Sequence, residues 1–594
     1  MALGSPLTSS SSPSWWQRLK FHEPIRTGQK DVRWSSVSII TVVWFAFAFH
    51  IFAGGINLAF TVKRYYEDPR IISLITTLNV IIMLGPFISY ISDQIWTRIG
   101  RRKPLMLIAY GAAAWGMAGL AFLPQVSAFL QPIAHALGLP SLTEPILMIA
   151  IVVSYTTLYD FSAPMEPLML ECVPPHQRGR FFALRNIQVQ MASLFFFQLL
   201  WPIYDDAVPL LAWAGIDAPA LALSGEQMAY FISAFLFFMA CFVMVFLIEE
   251  VKIPSAPNKR IRELGLWRFV VSYIKDVFLT KEAYPFYIMM IIPGLAAQVW
   301  GNFDAMMKTD QFEYTKGEMA LMGLPPMVLS MAVLTPFAGW YSDVKPRIPN
   351  GILALIGLGV LACLAPLPAY YQAVAPADIR LLPSTAHCFG LSALVSGAGM
   401  GLFVILTELV SRRSDRIYMR AWIALIAIVK DFITVGGFFL YVQFVAQDGV
   451  PPIVLWMLFG QFTATMGALI GTAVAPMIYE YIPRSKLGTI LAGKNLLESV
   501  IKFGVANLGA WWIVWWSLHI HKPEHTQYDY SSLYLLQMLL YIPGIIAVAW
   551  FLRQILTGKI LPQGILEVEP EQAAHVVQPG PAPGPGESTG APSR

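Results

Sequence analysis

Residues 37–60 read VSIITVVWFAFAFHIFAGGINLAF, twenty-four positions without a Lys, Arg, Asp or Glu. As a helix, a stretch of that length rises about 36 Å at 1.5 Å per residue. That exceeds the roughly 30 Å of a bilayer's hydrocarbon core. Lipid offers no partner to backbone N–H and C=O groups, so a crossing segment must be a helix or part of a closed barrel. The stretch lacks the strict alternation of a barrel strand, and a helix is predicted. Residues 105–123 and 288–299 read the same way. Over 594 residues the chain is 56% hydrophobic and 13% charged, about half the charge usage of a soluble domain. The predicted fold class is all-α and polytopic.

Outward from that stretch, apolar runs predict six spans near 36–60, 71–91, 105–123, 145–170, 186–204 and 228–248. A connection over 249–283 carries seven basic residues between Lys252 and Lys281, and a surface helix is predicted near 264–279. Eight further spans are predicted near 284–304, 319–341, 351–371, 384–409, 421–444, 453–479, 489–516 and 533–552. The organisation expected is a segment 1–35, a first bundle 36–248, the linker, a second bundle 284–553 and a tail 554–594. The tail is rich in Pro, Gly and Ala and is expected to be disordered. Residues 1–30 lack the apolar core of a signal peptide, so the first span is expected to act as the insertion signal.

With the N-terminus in the cytoplasm, this arrangement leaves about 31 Lys and Arg inside and about 7 outside, the bias that orients membrane proteins. Both termini are therefore expected in the cytoplasm, in a plasma or bacterial inner membrane. The net charge of +4 gives no reason to expect nucleic acid. Cys172, Cys241, Cys363 and Cys388 have no metal-ligand spacing, and no cofactor or metal is expected.

Two turns repeat. Ser92-Asp93 leads to Arg98-Ile99-Gly100-Arg101-Arg102-Lys103-Pro104, echoed by Ser342-Asp343 before Lys345-Pro346-Arg347. Ala163-Pro164, Val173-Pro174 and Arg178-Gly179 are echoed by Ala475-Pro476, Ile482-Pro483 and Leu487-Gly488. Same-sense repeats suit two bundles rocking about a central site. The second echo makes 384–446 surplus, an expected inserted hairpin, although Glu408 with Arg412, Arg413 and Arg416 also resembles the first turn.

The stretch SDQIWTRIGRRKP at 92–104 resembles the loop between the second and third helices of the major facilitator superfamily. Its spacing, with Asp160-Phe161-Ser162-Ala163-Pro164 and Glu171, is similar to the glycoside–pentoside–hexuronide:cation and sucrose:proton symporters. The resemblance implies two six-helix bundles, here with an extra helix pair, giving 12 to 14 spans. It also implies that Asp93, Arg98, Arg101 and Arg102, with Asp343 in the repeat, form charge networks that gate one side. Gln94 departs from the branch, whose members usually carry Arg there.

Asp160 is read as mid-span, where a carboxylate must be paired, protonated or facing water. It is the expected proton or sodium carrier, with Glu171 eleven residues on, almost on the same helical face; an Asp held by a neighbouring Arg is the structural alternative. His50, Gly54 and Asn57 fall on one stripe. With Trp44 as an aromatic face, the stripe suits a solute-lined cavity or a polar helix contact equally. Asn79, Gln298 and Asn302 are further cavity candidates. Glu498 and Lys502 have the spacing of a self-neutralising pair, yet Lys502 also suits contact with an anionic solute. Lys430 and Asp431 are adjacent and are expected to face different helices.

The function expected is cation-coupled symport of a small polar solute, a sugar or glycoside, by a monomer in a lipid bilayer. A facilitator or exporter of another organic solute and a non-transporting receptor are the alternatives. No phosphate-binding loop, HExxH or GxSxG motif supports an enzyme.

Overall fold

In a computed structural model of the chain, the described residues are 25–26, 32, 34–78, 88, 96–138, 143–173, 178–209, 222–250, 268, 271, 275, 283–300, 303–329, 416–444, 456, 459, 487–522 and 526–559. Of the expectations above, the inserted hairpin's first arm and the spans at 351–371 and 453–479 lie outside them, apart from Trp456 and Phe459.

The opening stretch forms α1, Trp34–Ile51, continued by a π-helical turn at Phe52–Asn57 and by Leu58–Lys63. Next come α2 (Pro69–Thr76), α3 (Lys103–Ala121), α4 (Leu123–Ala136), α5 (Glu144–Tyr159), α6 (Met165–Cys172), α7 (Arg178–Phe195) and α8 (Gly225–Phe246). The second half has α9 (Tyr284–Ile291), α10 (Leu295–Gln298), α11 (Phe303–Met306), α12 (Lys316–Leu329), α13 (Arg416–Phe444), α14 (Leu487–His519) and α15 (Leu533–Leu556). Among the described residues, seven helical stretches are long and apolar enough to cross a membrane: Ile40–Lys63, Lys103–Ala121, Glu144–Ser162, Gly225–Phe246, Tyr284–Gln311, Ala424–Phe444 and Tyr530–Leu556. The chain is an all-α polytopic membrane protein.

The starts of these helices are written in the sequence. Asp68 caps α2, accepting from the Arg70 N–H at 2.8 Å, with Pro69 in the first turn. Ser224 and Gln227 form a capping box at α8.

Two expectations are corrected. The predicted span over 145–170 is broken: α5 ends at Tyr159, Asp160–Ser162 form a 3₁₀ turn, and α6 starts at Met165. Pro164 has no N–H to offer the Asp160 carbonyl, which accepts from Ala163 instead. The gap between the predicted spans at 105–123 and 145–170 is not a plain connection: it contains α4, fourteen residues without Lys, Arg, Asp or Glu.

In the first half, α3 packs along α8 and α5, while α1 packs against α7 and α8. The α3–α5 contact is close because Gly116 lies under the Tyr155 ring, where a Cβ would sit 2.4 Å from ring atoms. In the second half, α13 packs along α15 and buries Ile428, Val435 and Phe438. Gly544 receives Ile428, and Gly436 receives Met538. Helix α13 is the segment expected as the second arm of an inserted hairpin. Across the halves, α2 meets α14 and α7 meets α12.

Candidate functional site

Three places gather the polar side chains. At the end of the first half where α3 begins, Gly100 has φ +124°, a conformation open to glycine. The chain then presents three successive backbone N–H groups, of Arg101, Arg102 and Lys103, to the Glu250 carboxylate at 3.0, 3.1 and 2.9 Å. Glu250 thus caps α3 from the far end of α8, where a negative charge also suits the helix dipole. The side chains of Arg101 and Arg102 turn to Glu171 on α6, at 2.6 and 3.0 Å. A two-residue parallel pairing of Ile25–Arg26 with Ile248–Glu249 lies immediately before Glu250. Arg98 is exposed beside this latch; Asp93 and Asp343 lie outside the described residues.

At the opposite end, charges bridge the halves. Lys63 at the close of α1 meets Asp310 at 2.5 Å, and Lys316 opening α12 meets Asp205 at 2.6 Å. The Lys316 ammonium also lies 3.8 Å from the Tyr204 ring centre and 5.8 Å from that of Phe60. Arg70 stacks over Trp511 at 4.8 Å, and the Asn507 amide donates to the Thr77 hydroxyl at 3.2 Å. Within the first half, buried Glu226 draws this end together: it accepts from Thr61 at 2.5 Å and pairs with Arg64. Arg70 holds the Asp68 carboxyl below the usual carboxylate range through its hydrogen bonds.

The third place is a cavity of about 20 Å³ between α9, α10 and α14, with room for about one water. Gln298, Glu498 and Lys502 line it with Gly294, Leu295 and Ile501. The expected Glu498–Lys502 pair is not formed: Glu498 pairs with Lys494 at 2.7 Å. Among the described residues no carboxylate pairs with Lys502, which is exposed near the middle of α14. Lys430 and Asp431, expected to face different helices, have their charged atoms 2.5 Å apart.

The remaining candidates disperse. Asp160 is half-buried in the 3₁₀ turn, not mid-helix, and the break separates it from the helix bearing Glu171. His50 is buried among the rings of Tyr159, Phe237 and Tyr155, with centroids at 4.9, 5.0 and 5.9 Å. Asn57 is fully buried and donates to the Glu226 carbonyl at 3.1 Å. Trp44 is buried beneath Arg185, 5.0 Å away. These three sit in contacts between helices. Asn79 and Asn302 lie outside the described residues.

Sequence reasoning missed Glu250, Lys63, Asp310, Lys316 and Asp205. The available signal was their position: each stands beside the end of an apolar run, where a charge can reach a neighbouring helix while staying hydrated.

No family model matches the chain, and no curated protein matches it. Among solved structures, the chain is similar to a mutant of the nucleoside transporter NupG, at 12% identity and TM-score 0.42, over 87% of this chain and 99% of that one. It is also similar to an outward-facing bacterial homologue of the iron transporter ferroportin, at 11% identity and TM-score 0.42, over 87% and 98%.

Proposed function

We propose that the chain is a secondary transporter of the major facilitator type, carrying a small polar solute by cation-coupled symport between two rocking bundles. A sugar or glycoside is the solute class, a proton or sodium the coupling ion, and a monomer in a plasma or bacterial inner membrane the working unit. Both termini face the cytoplasm, so the Lys63 end is outer and the Gly100 end inner.

The observation that carries the reading is Lys502. An exposed ammonium midway along a 33-residue helix, without a described carboxylate partner and beside a small cavity where Gln298 and Glu498 stand among apolar side chains, is costly against lipid and tolerable on an aqueous path. Gln298 supplies a hydrogen-bonding neighbour for a solute there. Asp160 and Glu171 are the coupling candidates, with Asp160 set in the 3₁₀ turn at the break before Pro164. The ion pairs between halves at the Lys63 end support an arrangement closed on the outside.

Uptake into reconstituted vesicles tests the reading. A panel of sugars and glycosides is offered under an imposed pH or sodium gradient, with Asp160→Asn and Lys502→Ala alongside the parent chain. Accumulation that needs the gradient and fails in Asp160→Asn is expected. Uptake indifferent to any gradient would make the chain a facilitator, and no uptake of any solute would leave a receptor on this architecture.

A further inference from the structure

Asp529, just before α15, has no exposed surface. Its Oδ1 accepts from the Gln311 amide at 2.9 Å, the Ser531 hydroxyl at 2.6 Å and the Ser531 N–H at 3.1 Å. Its Oδ2 meets Nδ1 of His521 at 3.0 Å, and the His521 side chain is 55% exposed. A carboxylate removed from water needs a cation as well as hydrogen bonds. Among the described residues the only ion-pairing partner of Asp529 is this histidine, a side chain that is a cation only when both ring nitrogens carry a proton.

The node is built to transmit that change. The Ser531 N–H also donates to the Gln311 carbonyl oxygen Oε1 at 3.0 Å, so Gln311 is held twice. Asp310, the next residue along, carries the inter-bundle pair with Lys63. The Asp529 N–H donates to Ser517 on α14 at 2.7 Å, and Gln443 on α13 donates to the Ser531 hydroxyl at 3.0 Å. The surrounding charged and titratable groups leave the role to His521. Lys522 adjoins it in the chain, and His519 stacks on Trp515. Tyr530 is buried towards Asp310, and Tyr528 lies towards Asp68 and Arg70.

We propose that His521 and Asp529 form a proton-binding site on the outer face, where a proton taken up by His521 tightens the Asp529–Gln311 brace beneath Asp310. Low external pH then favours the closed outer gate. The consequence for gating rests on the transporter reading; the proton site itself does not.

Hydrogen exchange on the full chain in detergent at pH 5.5 and 8.0, corrected for the intrinsic pH dependence, reads the brace in peptides covering 303–312. Protection in the parent chain should fall about fivefold at the higher pH, as the ion pair that fixes Asp529 reverts to a hydrogen bond between the carboxylate and a neutral ring. His521→Gln should abolish that step, and His521→Arg should keep protection high at both pH values. A step of the same size in His521→Gln would overturn the proposal, as would loss of protection at both pH values in His521→Arg. A pH step in a chain that transports nothing would sink the transporter reading and leave the proton site standing.

Discussion

At the scale of single residues, Gly100 and Glu250 form a joint in which each constrains the other. A Cβ on Gly100 would lie 2.6 Å from a Glu250 carboxylate oxygen, at a φ that L residues rarely adopt. Gly100→Ala should therefore destabilise by about 2 kcal/mol or more, read as a lowered Tm in detergent. Glu250→Gln keeps the acceptor and loses the charge, so it should cost less than Glu250→Ala. Asp68 offers a second test. Its folded pKa lies below the ordinary carboxylate value, so its cap stabilises above the unfolded pKa and weakens as pH falls through the folded one. Asp68→Ala should lower stability by about 1 kcal/mol at neutral pH, and the difference from the parent should shrink towards pH 3. Equal differences at both pH values would refute the charge contribution. Arg101 and Arg102 stand out in the sequence because they belong to one recognisable turn. Glu250 does not: it lies 149 residues from Arg101, and the pattern of neither segment names the other.

At the scale of elements, hydropathy located helices well and their interruptions poorly. The predicted start at 105 became Lys103 and the predicted 228 became Gly225, because polar caps and proline extend a helix beyond its apolar run. The break after Tyr159 was legible in principle from Pro164. The hydropathy of 145–170 stays high through it, since a 3₁₀ turn and an α-helix bury the same residue types. The π-helical turn at Phe52–Asn57 carries no composition signal beyond Gly54-Gly55, and its wider turn upsets the i, i+4, i+7 stripe read for His50, Gly54 and Asn57. Contacts between elements give a sharper prediction. The Cβ of Gly116→Ala would run into the Tyr155 ring on α5, so it should cost roughly 1–3 kcal/mol by overpacking. Part of that should return in Gly116→Ala/Tyr155→Ala, where Cγ and the ring are gone while the Tyr155 Cβ, also 2.4 Å away, stays. Thermal unfolding of the four chains closes the cycle, and strict additivity would show that the two sites do not touch.

At the scale of the whole molecule, the two ends of the bundle hold their charges differently. The described ion pairs of the latch at Gly100 lie within the first half, whereas at the opposite end two pairs cross between halves. Only crossing pairs can bias a rocking equilibrium, because only they break when the halves separate there. Their weights differ with exposure. Lys63 and Asp310 are 33% and 20% exposed, while Asp205 at 77% leaves the Lys316 pair more screened. Partly exposed pairs contribute about 0.2–1 kcal/mol, a shift of about 1.4- to 5-fold in the ratio of states. Lys63→Asp places two carboxylates together and should part the halves at that end, read as a longer distance component between spin labels on α2 and α14. Lys63→Asp/Asp310→Lys restores opposite charges and should return the parent distribution. Lys316→Ala should give a smaller shift, set by lost contact with the Tyr204 ring more than by the lost Asp205 pair, so added salt should change it little. If the reversed pair leaves the halves as far apart as the single change does, the Lys63–Asp310 contact is only where two surface charges rest, and the closing force at that end lies instead in the α2–α14 packing around Arg70, Trp511 and Asn507.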